Sequence, residues 1–207
     1  SYVDGTYTIN DSVAQVITFN PLSSVQYGAA TQTMNASANS GLTVTFTVSG
    51  PCTISGTTVT ITGVGTCSIT ASQSGGSNGG VYYRAATPVT RDLVITAAPL
   101  TITATRSSAS KTYGGSNPTF GETHTALKYS DALSSVVLTF TSSSPSYNGT
   151  TIPTNAGVYT ITPSGAILTP SGAAGNYSIV YETATYTINK ADQLITFNAP
   201  TSPVIYG

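Results

Sequence analysis

The stretch "LTVTFTV", residues 42–48, places Leu42, Val44, Phe46 and Val48 on one face and Thr43, Thr45 and Thr47 on the other. A period of two is the signature of a half-buried strand, and Thr is a good strand former on the wet side. The same alternation returns in "TVTIT" (58–62), "CSITA" (67–71), "DLVITA" (92–97), "PLTITAT" (99–105), "VVLTFTS" (136–142), "GVYTITP" (157–163), "YSIVYET" (177–183) and "ATYTINK" (184–190). Turn signals separate these runs: "SGP" (49–51), "SGTT" (55–58), "GVG" (63–65), "SGGSNGG" (74–80), "YNGT" (147–150) and "SGAAGN" (171–176). Short strands at this spacing predict an all-β protein of sandwich type. The one helical candidate is "SDALSSV" (130–136), barely two turns, with Ser130 or Asp131 as N-cap.

Composition narrows the function classes. Ser and Thr supply 65 of 207 residues, which could mean a glycosylated mucin-like stalk. The strict alternation argues instead for strands with hydroxyls facing water. Charged residues are 6 % of the chain, six basic against seven acidic. That argues against nucleic acid, whose affinity rests on phosphate neutralisation, and against an electrostatic membrane contact. No apolar run reaches the length of a membrane-spanning helix. The apolar content of 39 % with almost no net charge is not a disorder signature.

The chain also repeats itself. "YVDGTYTIN" (2–10) matches "YETATYTIN" (181–189), "QVITFN" (15–20) returns as "QLITFN" (193–198), and Tyr27-Gly28 returns as Tyr206-Gly207. The three offsets are 179, 178 and 179 residues, so the matches are in register. A further Tyr-Gly at Tyr113-Gly114 splits the period into intervals of 86 and 93 residues, each about one sandwich long. The chain therefore reads as a window on an alternating two-domain array. Residues 1–11 read as the closing strand of a preceding domain, 12–97 and 98–190 as two domains, and 191–207 as the opening strand of the next. Lone strands have unpaired backbone groups, and addition to a neighbouring copy would satisfy them.

Chemistry-bearing residues are few. Cys52 and Cys67 lie in one domain on the inward set of their strands. Their even number and a composition of extracellular type favour a disulfide. The alternative is two buried thiols acting as small apolar residues. Zinc is disfavoured, since two sulfurs with no nearby His fall short of four ligands, and no cofactor or metal is expected. His124 is the sole histidine, beside Glu122, and no nucleophile stands out, so no catalytic residue is assigned. "GVYYRAAT" (80–87) puts Tyr82, Tyr83 and Arg84 beside a Gly-rich stretch; Tyr and Arg there are the candidate binding loop, within 74–87. The sequons at Asn10, Asn35, Asn148 and Asn176 matter only in a glycosylating host.

Two family resemblances follow from these residues. "ITFNPLSSVQYG…GLTVTFTVSGPCTISGTTVTITGVGTCSITASQSG…YRAATPVTRDLVI" (17–95) resembles a bacterial Ig-like repeat, by its ITF strand, its Cys pair around "ISGTTVTITGVGT" and its closing strand after "PVTR". "APLTITATRSSASKTYGGSNPTF…GNYSIVYETATYTINKA" (98–191) is similar to the MBG domain of bacterial adhesins, through Lys111, Tyr113, Gly114, Asn117 and Pro118 and through Asn176, Tyr177, Ile179, Tyr181, Ile188, Lys190 and Ala191. The resemblance implies tandem sandwiches, the second a β-grasp-like variant with one short helix. It implies a bacterial cell-surface or extracellular stalk or filament with no catalytic residues. Its expected partners are neighbouring copies or repeats of the same protein. The rival expectation is an adhesive module gripping glycan or a host protein through the loop at 74–87.

Overall fold

The computed structural model of the chain describes residues 12–198, so the expectations for 1–11 and 199–207 lie outside the described residues. The first eleven strands are β1 (Ile17–Phe19), β2 (Val25–Gln26), β3 (Gln32–Thr33), β4 (Ala36–Ala38), β5 (Thr45–Ser49), β6 (Cys52–Ser55), β7 (Thr58–Ile61), β8 (Gly65–Ser72), β9 (Gly75–Asn78), β10 (Val81–Arg84) and β11 (Val89–Thr96). The other eight are β12 (Ala98–Arg106), β13 (Ser110–Thr112), β14 (Phe120–His124), β15 (Ala132–Ser143), β16 (Ser146–Gly149), β17 (Gly157–Thr169), β18 (Tyr177–Glu182) and β19 (Ala184–Asn189). The fold is all-β, as the alternation predicts.

Four expected local features differ. "YNGT" (147–150), expected as a turn, lies mostly in β16, and the turn falls at Ser144-Pro145. Burial alternates along the whole of 42–48, but the ladder of β5 begins only at Thr45. "SGGSNGG", expected as a turn, forms β9 and the Gly79-Gly80 bend of a hairpin. The helical candidate 130–136 is strand: β15 starts at Ala132 and lies in its sheet between β17 and β16. Two turns of helix cannot repay nucleation, whereas neighbours on both edges satisfy this backbone. The helical element among the described residues is the 3-10 turn Ala173–Asn176.

The described residues fall into two compact units. Among the described residues the first draws on 12–100, Ala126–Ser134 and Ile167–Val180, the second on Thr101–Thr125, Ser135–Ala166 and 181–198. In the first, one sheet has the order β2-β11-β8-β5 and another β3-β7-β6, with β1 paired to β4. Their inward residues Val59, Ile61, Ile69, Leu93 and Ile95 are buried, while Asp92 and Val94 between them face water. Cys52 on β6 and Cys67 on β8 form a disulfide with Cα atoms 5.8 Å apart, covalently joining the two sheets across that core.

The second unit has a five-stranded sheet, β13-β19-β17-β15-β16, and takes most of its core from that sheet's inner face. Ala104, Phe140, Tyr159, Ile161, Tyr186 and Ile188 form one buried cluster. Phe120 stands edge-on to both Phe140 and Tyr186 at 5.0 Å, a geometry worth about 0.5–1.5 kcal/mol per pair beyond area burial. Burial raises the pKa of both Tyr159 and Tyr186. Tyr159 donates its hydroxyl to Asn155 O at 2.8 Å, but the Tyr186 hydroxyl has no partner among the described residues.

Residues 191–198 belong to no strand. Ile195 and Phe197 there are 77 % and 91 % exposed. Their counterparts by sequence, Ile17 and Phe19 of β1, are 5 % and 3 % exposed. The same words are buried in one place and bare in the other.

Two predictions follow from this packing. Replacing both cysteines with Ala is expected to lower the stability of the first unit by about 3 kcal/mol, from the entropy of a freed loop of 15 residues. Urea unfolding checks it, and a loss below about 1 kcal/mol would refute the loop-entropy account. In the second unit, Tyr159→Phe breaks a hydrogen bond and should cost about 1 kcal/mol, whereas Tyr186→Phe removes an unpartnered hydroxyl and should be neutral or stabilising. Equal losses in the two variants would contradict the assignment.

Candidate functional site

Strands β9 and β10 build the candidate binding element. A two-residue hairpin of type I′ needs positive φ at both central positions, and Gly79 and Gly80 supply 59° and 81°. The register sets Val81 opposite Asn78, Tyr82 opposite Ser77, Tyr83 opposite Gly76 and Arg84 opposite Gly75. Alternation then divides the three candidate residues. Tyr82 and Arg84 share an exposed face, while Tyr83 turns to the other face and is half-buried. The structure thus brings two of the three together. Val13 joins them from outside the hairpin, donating its N–H to Tyr82 O at 2.8 Å and accepting from Arg84 N at 3.0 Å.

The base of this hairpin is fixed by a buried polar knot that the sequence reading missed. Gln15, Ser40 and Gln73 are all buried. The Gln15 amide donates to Gln73 Oε1 and, at 2.7 Å, to Arg84 O. Gln15 Oε1 accepts from the Ser40 hydroxyl. Gln73 Oε1 also accepts the Gly75 N–H at 2.6 Å, and Asn78 Nδ2 donates to Ser40 O at 2.8 Å. Each buried partner left unpaired would cost about 1–3 kcal/mol, so the knot holds as a set. One signal could have found it: the Gln that opens "QVITFN" opens "QLITFN" as well.

A second cluster in the first unit gathers around one carboxylate. Asp131 Oδ2 accepts from the Tyr177 hydroxyl at 2.7 Å and from the Tyr27 hydroxyl at 3.1 Å. Tyr177 also accepts the Lys128 backbone N–H at 2.8 Å. The Tyr27 ring meets Tyr129 and Tyr177 edge-on at 5.2 and 5.7 Å. Tyr129 holds φ 51°, a left-handed conformation that costs a non-glycine residue about 1–2 kcal/mol. Its edge-on contact with Tyr27 and its hydroxyl on Ala29 O at 3.4 Å help to offset that cost. Burial first, then the Asp131 hydrogen bond and charge, push the Tyr27 hydroxyl up to about 12. Tyr177 also rises to about 12, led by burial, with Asp131 reinforcing and the Lys128 N–H opposing. Asp131 is thus a hydrogen-bond acceptor in a strand-entry turn and caps no helix.

The remaining candidates stand apart. His124 is exposed on β14, its Nδ1 2.9 Å from Thr125 O, and Glu122 is exposed two residues before it. Lys111 Nζ donates to Gly115 O at 3.1 Å and to Asn117 Oδ1, so this pair of hallmark residues closes the turn at Tyr113-Gly114. Asn176 is half-buried, and its side-chain oxygen takes the Val64 N–H at 3.0 Å. An apolar groove of about 320 Å³ runs beside β4, lined among others by Met34, Ala36, Leu42, Val44 and Phe46 and by no ionisable group. Among the described residues, no three His, Cys, Asp or Glu side chains gather as a metal site.

Neutral tyrosines at Tyr27 and Tyr177 set a pH limit. Their folded pKa lies above the unfolded value near 10, so the stabilisation is whole below pH 10 and is lost as pH rises to about 12. Thermal unfolding from pH 8 to 12 should show the wild type falling steeply across that window. The Tyr27→Phe/Tyr177→Phe double variant should be weaker at pH 8 but flatter above 10. Parallel curves for the two proteins would refute the coupling.

Comparison with known proteins gives one assignment. Residues 100–187 match the family model described as MBG domain (YGX type), a stretch that contains Tyr113-Gly114. No curated protein and no solved structure matches the chain. MBG domains occur in bacterial surface adhesins and form a non-enzymatic family.

Proposed function

We propose that the chain is a structural repeat segment of a long extracellular bacterial surface protein, a stalk or filament in which domains are chained head to tail. The observation that carries this reading is the MBG match over 100–187, which suggests an adhesin-like surface module. The sequence period of about 179 residues supports an alternating array in which an Ig-like domain at 12–97 precedes the MBG domain at 98–190. Residues 1–11 and 191–207 are then parts of neighbouring domains. The work is mechanical: apolar faces hold each sandwich, and a disulfide cross-links one of them. With so few charges, the segment should keep its shape across a wide range of salt.

A second reading has a specific observation behind it. Tyr82 and Arg84 lie exposed on one face of a hairpin with a fixed base, the residue types that dominate binding hot spots. In that reading the segment grips a glycan or host protein.

The two readings part in one set of measurements. Under the first, electron micrographs of multi-repeat chains show rods whose length grows with repeat number, antibodies label the cell surface, and glycan arrays stay blank. Array binding that Tyr82→Ala or Arg84→Ala abolishes would replace the first reading with the second.

A further inference from the structure

Two turns of the chain are built alike. Strand β2 runs parallel to the end of β11, with Thr96 opposite Gln26, and the next residue, Tyr27, donates its N–H to Thr96 O at 2.8 Å. Strand β13 runs parallel to the end of β19, with Asn189 opposite Thr112, and the next residue, Tyr113, donates its N–H to Asn189 O at 2.8 Å. Each tyrosine is followed by a left-handed glycine, Gly28 at φ 87° and Gly114 at φ 80°. Each turn closes with the same bond at 2.9 Å, Ala29 N to Gln26 O and Gly115 N to Thr112 O.

Their surroundings are opposite. Tyr27 is 4 % exposed beneath Tyr129, Asp131 and Tyr177, and a Cβ at Gly28 would strike the Lys128 side chain at 2.5 Å. Every covering residue lies in the chain after the closing strand, β11. Tyr113 is 56 % exposed, and nothing lies within 4 Å of a Cβ at Gly114. The equivalent cover would come from whatever follows β19.

The sequence says what that is. Residues 193–198 repeat 15–20, with the buried knot's glutamine in the same place. On that register Ala191 corresponds to Val13, the residue hydrogen-bonded to Tyr82 and Arg84 of the hairpin. Ala191 follows Asn189, the acceptor of the Tyr113 N–H, by two residues, a reach of at most about 7 Å. A second copy of residues 12–97 growing from Gln193 would therefore carry its hairpin within reach of Tyr113. The copy's Val81 and Tyr82 supply apolar surface there, since Val81 and Tyr82 are 39 % and 50 % exposed.

We propose that the Tyr113-Gly114 turn is the seat of a second copy of the 12–97 unit, closed by that copy's β9–β10 hairpin. The inference rests on the array reading above. It assigns the exposed tyrosine of the hairpin, Tyr82, to a joint between repeats.

The test is a lengthened chain in which residues 29–97 are appended after Gly207, completing the second copy. Both this chain and the 207-residue chain are nitrated with tetranitromethane, and modified tyrosines are mapped by mass spectrometry. Tyr129, also 56 % exposed, serves as the internal reference. The expected result is an approximately tenfold fall in Tyr113 reactivity in the longer chain, the protection given by a joint closed nine-tenths of the time, with Tyr129 unchanged. Replacing Gly114 with Val in the longer chain should restore Tyr113 reactivity while the appended cysteines stay resistant to alkylation. Unchanged Tyr113 reactivity with the appended disulfide formed would overturn the seat and leave the rod reading, which stands on micrograph lengths, untouched. An appended copy whose cysteines remain alkylatable also counts against it, because the same residues close that bridge in the first copy.

Discussion

With only 6 % charged residues, this chain has almost no electrostatics to fold with, and its order depends on burying one face of each strand. The period-two alternation does this without stranding the backbone: Leu93 and Ile95 point inward while the ladder to β8 satisfies their amides. Hydroxyls take the outer face, and some of them pair across strands, as Thr70 does with Thr90 at 2.9 Å. Each layer has an apolar face that must be covered, so the two sheets of the first unit bury each other's, and the Cys52–Cys67 bridge makes the arrangement covalent.

Against that apolar background the few buried polar groups acquire a defined task. The Gln15–Gln73–Ser40 knot fixes where β1 enters and how the hairpin leaves, because an amide in the core tolerates one pairing pattern only. Asp131 does the same for the tyrosines around it, accepting two hydroxyls on one oxygen. These groups specify position, while the aliphatic residues supply most of the driving force.

How much of this could be read beforehand follows from range. Strand positions such as 58–62 and 184–190 were legible because alternation is local, and the two cysteines because both sit on inward positions of their strands. The knot was not legible: its members are 25 and 58 residues apart, and a lone Gln beside a strand reads as surface. The local reading of 130–136 as a helix capped by Ser130 or Asp131 loses to long-range pairing of β15 and, for Asp131, to tyrosines more than 40 residues away. "SGGSNGG" read as loop because glycine hides strand propensity, although Gly79-Gly80 is what lets β9 and β10 meet.

The short parallel pairings, β2 beside β11 and β13 beside β19, have a bearing on load. In each, an early strand and a final strand run the same way, so tension applied at the two termini drags them past one another lengthwise. Their cross-bonds are then strained simultaneously, in shear, where an antiparallel pair pulled from one end would peel open bond by bond. Should the first clasp yield, the covalent loop between Cys52 and Cys67 would still withhold the residues it encloses from extension.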